Sequence, residues 1–159
     1  MEVFLIRHAQ AADETLELKD HARPLTALGR DQARNLGDRL RWHDCEPTHV
    51  LTSPLVRAVQ TAELVVAALG PATAQLVIDV EPSLEPAASV RAVVAAIAAL
   101  PQGSSVLLFG HEPGLSDVAA LLVGDPDVPA LAKAEAVRIS GGRVRWRFAW
   151  DAEAPTPAR

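Results

Sequence analysis

Four side chains carry the chemistry that can be read from this sequence: Arg7, His8, Arg57 and His111. Arginine presents a fixed fork of donors that matches phosphate oxygens bidentately. A neutral imidazole is a competent nucleophile near pH 7. Two arginines and two histidines around one pocket would therefore suit a phosphoryl group. Attack on phosphorus by a ring nitrogen would give a covalent phosphohistidine, and water would then release phosphate. The charge spread over the transferring group calls for several fixed positive donors, and Arg7, Arg57 and a protonated or donor His111 are candidates to supply them.

The surrounding elements decide whether these residues can meet. Val3-Phe4-Leu5-Ile6 reads as a strand buried on both faces, and it ends in Arg7-His8. Val50-Leu51-Thr52 reads as a second strand. Ser53-Pro54 then predicts a helix start, with the serine as cap, proline in the first turn and Arg57 one turn in. Ser105 to Phe109 reads as a further buried strand ending in Gly110-His111-Glu112-Pro113. The helix after it bears Leu115, Val118 and Leu122, and its start adds free amides and a positive dipole end.

Thr26 is placed to cap a helix with Ala33, Leu36 and Leu40 on its apolar face, and Gly70-Pro71 ends the helix that carries Arg57. Gln75 to Val80 reads as another strand, and Ser89 as the cap of a helix with Val90, Val93, Val94, Ile97 and Leu100 on one side. Ala136 to Ile139 and Arg143 to Trp150 predict a hairpin around Ser140-Gly141-Gly142. Its second strand alternates, with Val144, Trp146, Phe148 and Trp150 on one face and Arg143, Arg145 and Arg147 on a solvated face.

This alternation predicts an α/β fold, a three-layer α/β/α sandwich with a mostly parallel sheet and a terminal β-hairpin. One domain is expected over residues 1–150, with a flexible tail over 151–159. Ligands of such sheets bind beyond the carboxyl ends of the strands. The ends of three strands would then bring Arg7, His8, Arg57 and His111 to one edge.

Composition narrows the alternatives. Of 159 residues, 49% are apolar and 22% charged, a globular balance, and the net charge of −5 argues against a nucleic-acid partner. The sequence suggests no signal peptide and no membrane span, and its single cysteine, Cys45, permits no internal disulfide, so a cytoplasmic setting is expected. Cys45 is read as unreactive, and His21, His43 and His49 as surface residues. No metal-ligand spacing is seen, and no metal or other cofactor is expected.

Four segments then carry a resemblance. Arg7-His8-Ala9 resembles the Arg-His-Gly signature of the histidine phosphatase superfamily, the phosphoglycerate mutase-like proteins. Arg23-Pro24-Leu25-Thr26-Ala27-Leu28-Gly29 resembles its Leu-Thr-x-x-Gly helix start, and Ser53 to Ala62 its Ser-Pro-x-x-Arg-Ala-x-Gln-Thr-Ala segment. Gly110-His111-Glu112-Pro113 resembles its late Gly-His motif. The segments come in the family's order, and the short chain looks most like the SixA-type phosphohistidine phosphatases. The resemblance implies a metal-independent phosphatase acting on phosphorylated histidine in a protein partner, with His8 as nucleophile and Arg7, Arg57 and His111 as phosphate pocket.

Two features depart from the pattern. Ala9 stands where glycine is commoner. No carboxylic acid matches the position from which larger members protonate a leaving oxygen, although Glu81 and Glu85 lie nearby. A phosphoramidate needs less help from an acid than an ester does. The alternatives are a phosphatase for small phosphomonoesters and a non-catalytic phosphate-binding module. The role of Arg23, in substrate contact or loop bracing, stays open.

Overall fold

The computed structural model describes residues 1–158. Strand β1 (Glu2–Arg7) leads through a long loop, with one turn of 3-10 helix at Asp20–Ala22, into helix α1 (Ala27–Leu40). Then come β2 (His49–Thr52), α2 (Val56–Leu69), β3 (Ile78–Val80) and α3 (Val90–Ala98). The chain continues through β4 (Ser105–Gly110), α4 (Gly114–Val123), β5 (Glu135–Ser140), β6 (Arg143–Ala149) and β7 (Thr156–Pro157).

The three layers follow from the two-residue period of the strands. Phe4 and Ile6 of β1 point into a core shared with Leu36 and Leu40 of α1 and Val65 of α2. Val3 and Leu5 point the opposite way, toward Val93 and Ile97 of α3 and Leu115 and Val118 of α4. The helix starts at Thr26 and Ser89 are as expected: their hydroxyls accept from Gly29 N and Ala92 N.

The strand order is β3-β2-β4-β1-β5-β6-β7. Strands β1 to β4 are parallel to their neighbours in that group, and β5, β6 and β7 each pair antiparallel. The sheet is therefore mixed rather than mostly parallel. The reason is where the chain re-enters it. Ala134 N donates to the carbonyls of Arg7 and His8, so β5 starts at the edge where β1 ends and must run back along it. Gly141 and Gly142, at φ 59° and 69°, then close a tight hairpin into β6.

Two local expectations are corrected. The third strand is only Ile78–Val80, because the turn that begins at Pro71–Thr73 runs on through Gln75, with Leu76 N donating to the Thr73 carbonyl at 3.0 Å. Helix α2 starts at Val56, not at Ser53-Pro54, and Ser53 Oγ accepts instead from Leu55 N at 3.3 Å. The segment expected to be a flexible tail includes β7, where Thr156 and Pro157 pair with Arg147 and Trp146. Arg159, the last residue of that segment, lies outside the described residues.

One helix contact bears directly on the site. A Cβ added to Gly29 in α1 would stand 1.9 Å from the Gln10 carbonyl oxygen, two residues beyond His8. Alanine at this helix position would gain roughly 1 kcal/mol in propensity, but overpacking against backbone costs about 1–3 kcal/mol or more and wins. Gly29→Ala is expected to lower the urea midpoint of unfolding clearly. Gly114→Ala, where nothing lies within 4 Å of the added Cβ, is expected to leave the midpoint unchanged or raise it.

Candidate active site

Strands β1, β2 and β4 are adjacent in the sheet, and Arg7 is in register with Gly110. Their carboxyl ends place His8, Ser53 and His111 side by side, and α2 returns Arg57 from the turn after β2. Arg7, His8, Arg57 and His111 thus gather at one edge. The rings of His8 and His111 lie 5.1 Å apart between centroids, and Arg57 Nε is 3.3 Å from His8 Nε2.

The tautomer of His8 follows from its partners. Nδ1 lies 2.7 Å from the Ala9 carbonyl, which can only accept. Nδ1 therefore carries the proton and donates. Nε2 keeps its lone pair, as its approach by the obligate donor Arg57 Nε requires. Ala9 is fixed in turn: its N–H donates to Thr61 Oγ1 at 3.1 Å, and the Thr61 hydroxyl donates to the Arg57 carbonyl at 2.7 Å. One helix thereby holds both the loop bearing His8 and the arginine facing it. Ala9 is fully buried, and its methyl group is accommodated.

Burial is the main reason that the His8 imidazole falls from 6.5 to about 4, and the positive fields of Arg57, Arg7 and Lys133 push the same way. The bond to the Ala9 carbonyl opposes them. His111 is lowered to about 3, again chiefly by burial, then by His8 and Arg57. Both rings are neutral at pH 7. His111 Nε2 lies 2.8 Å from Ser53 Oγ, while its Nδ1 is buried without a partner. Arg7 donates through Nη1 to the Leu131 carbonyl at 2.8 Å, and its Nε is likewise buried without a partner. Orphaned buried polar atoms are rare in folded proteins, and both of these belong to the residues of this cluster.

Asp20 completes the cluster and was not singled out from the sequence. Arg57 Nη1 donates to its carbonyl at 2.8 Å and Nη2 to its carboxylate at 3.3 Å. Arg23 also holds that carboxylate, at 2.8 Å from Nη2, and donates to the Ala12 carbonyl at 3.0 Å. Arg23 is thus a loop brace here. Burial raises the Asp20 carboxyl, but the hydrogen bond from Arg23 and the charge of Arg57 outweigh it and hold the group below its ordinary value. Asp20 is ionised at neutral pH and orients Arg57. The available signal was its spacing, three residues before Arg23 in a loop that must fold back on the strand edge.

The acidic residues nearest the expected acid position are otherwise engaged or set apart. Glu81 accepts from the Ser83 amide at 3.0 Å and the Ser83 hydroxyl at 2.7 Å. Glu85 is exposed and lines a largely apolar cavity of about 340 Å³ that also includes His111. Cys45 is buried, and burial pushes its thiol up to about 12, so it stays protonated. Among the described residues, no group of three or more His, Cys, Asp or Glu side chains is arranged to hold a metal ion. Among them, too, no helix is long and apolar enough to cross a membrane.

The chain is similar to known proteins in sequence and in fold. The profile of the histidine phosphatase superfamily (branch 1) matches residues 3–85. The phosphohistidine phosphatase SixA of Escherichia coli (strain K12) is 37% identical over 116 residues, which are 71% of this chain and 68% of that protein. An uncharacterized protein of Picosynechococcus sp. (strain PCC 7002) is 37% identical over 74% of this chain and 70% of its own. Among solved structures, the protein histidine phosphatase SixA complexed with tungstate superposes with a TM-score of 0.84 at 31% identity, covering 94% of this chain and 97% of that one.

The neutral imidazoles set a pH dependence. The folded-state values lie below the unfolded value of 6.5, so the unfolded chain binds more protons between about 4 and 6.5. Stability is expected to fall as pH drops through that window. With ¹⁵N-labelled histidine, His8 should titrate near 4 and show the Nδ1-protonated tautomer at pH 7; a midpoint near 6.5 would contradict this.

Proposed function

The chain belongs to the histidine phosphatase superfamily (branch 1) and is a phosphatase of that class, and from that premise we propose that it hydrolyses phosphorylated histidine on a protein through a phosphohistidine intermediate at His8. The observation that carries the proposal is the buried His8 ring. Its proton sits on Nδ1, and its Nε2 lone pair faces a cluster of cationic and neutral donors. In the first step, Nε2 bonds to phosphorus as the bond from phosphorus to the substrate's imidazole nitrogen breaks. Arg57 swings its donors from Nε2 toward the phosphoryl oxygens, and the free N–H of Arg7 and a ring N–H of His111 reach the same oxygens. In the second step, water attacks phosphorus, the N–P bond to His8 breaks, and phosphate leaves.

The residues engaged around the pocket support a phosphoramidate substrate. Glu81 spends its carboxylate on Ser83, and Asp20, ionised against two arginines, holds no proton for a departing alkoxide. An imidazole leaving group has an ordinary pKa near 6.5 and is protonated from solvent without a dedicated acid. A phosphorylated protein partner and a cytoplasmic setting belong to the same proposal.

One observation favours a second reading. The cavity beside His111 is large enough for a small organic group and has Glu85 in its lining, as a phosphomonoester phosphatase would use. Phosphate release from a phosphohistidine-bearing protein and from p-nitrophenyl phosphate separates the two. The first reading predicts fast release from the protein, weak ester turnover, and loss of both in His8→Ala by at least about a thousandfold. Strong ester turnover that falls in Glu85→Gln would replace it with the second. Phosphate binding without turnover on either substrate would leave a binding module.

A further inference from the structure

We propose that Glu112, the residue after His111, is a positioning residue that acts on Arg7 through the backbone of Leu131; this rests on the reading of Arg7 as a phosphate ligand. Glu112 Oε1 accepts from Leu131 N at 3.1 Å, and the Leu131 carbonyl accepts from Arg7 Nη1 at 2.8 Å. The two side chains thus grip the same residue from either side. Glu112 Oε2 accepts from the Ser116 hydroxyl at 2.6 Å, which fixes the carboxylate on the first turn of α4. Leu131 itself is 1% exposed, packed in the core beneath the turn.

The segment around Leu131 has no regular secondary structure between α4 and β5, so its carbonyl direction depends on such bonds. Its far side is already held. Arg147 donates to the carbonyls of Pro129 and Ala130, both at 2.8 Å, and pairs with Glu135 at 2.7 Å. Glu135 accepts from Ala132 N at 2.6 Å. Arg147 is therefore no solvated member of an arginine stripe: it anchors the segment from β6. Glu112 supplies the complementary hold from the α4 side. Because it follows His111 directly, it ties the two walls of the pocket, His111 and Arg7, to one spacing. Its carboxylate bonds to Leu131 N and Ser116 Oγ and forms no ion pair with Arg7, so it orients that cation without pairing with it.

The consequence is a coupling that a merely structural glutamate would not produce. Glu112→Ala should lower kcat/KM on a phosphohistidine-bearing protein by about tenfold in the wild-type background. Glu112→Gln keeps a carbonyl oxygen for Leu131 N and an amide for Ser116 Oγ, and should restore kcat/KM to within about threefold of wild type. In an Arg7→Ala background, Glu112→Ala should cost less than about twofold, because the group it positions is gone. Urea unfolding of each variant reports folding separately, and Glu112→Gln carries the test if Glu112→Ala folds poorly. Additive losses in the double variant, or no rescue by glutamine, would overturn the proposal while leaving the role of Arg7 intact. Undiminished kcat/KM in Arg7→Ala alone would overturn the reading of Arg7 and this proposal with it.

Discussion

One hydrogen bond, from His8 Nδ1 to the Ala9 carbonyl at 2.7 Å, decides what the rest of the site can be. It puts the proton on one ring nitrogen and leaves the lone pair on the other. Burial and three cations then keep the ring neutral at pH 7, which makes the lone pair available without a separate base. The same cations that depress the imidazole suit an arriving phosphoryl group. A single electrostatic arrangement thus disfavours protonation of His8 and favours an anionic ligand.

The fold supplies this arrangement through adjacency. Strand β1 lies between β4 and β5, so its carboxyl end is flanked by the Gly110-His111 turn on one side and by the Leu131 segment on the other. Helix α2 crosses back with Arg57 and Thr61, and the Asp20 loop closes over Arg57. The antiparallel start of β5 has a functional consequence here. It delivers residues 129–134 to the strand edge, where a purely parallel continuation would carry them to the opposite end of the sheet.

Much of this was legible in the sequence, and the reasons are physical. Continuous apolar strands followed by Arg-His, by Thr-Ser and by Gly-His announce a buried parallel group with polar residues at its carboxyl ends. Thr26 and Ser89 announce helix starts because their hydroxyls satisfy free amides. What was not legible depends on long-range partners. Ser53 resembled a helix cap but lies beside His111, 58 residues away in sequence. Cys45 sits among polar neighbours in the chain yet is buried against the core. Arg147 looked like one of three equivalent surface arginines until the 129–132 segment was seen to fold against it. The direction of β5 was hidden for the same reason: period-two alternation specifies which faces a strand presents, not which way it runs.

The central claim is that His8 Nε2 accepts the phosphoryl group. The most direct measurement is to quench the enzyme with phosphodonor in alkali, where a phosphoramidate survives, and to record ³¹P–¹⁵N coupling in protein carrying ¹⁵N in both ring positions of histidine. A one-bond coupling to Nε2 of His8, absent in His8→Ala, is the predicted result. Phosphorus on Nδ1, on His111 or on an oxygen, or turnover with no nitrogen-bound phosphorus at all, would contradict the account.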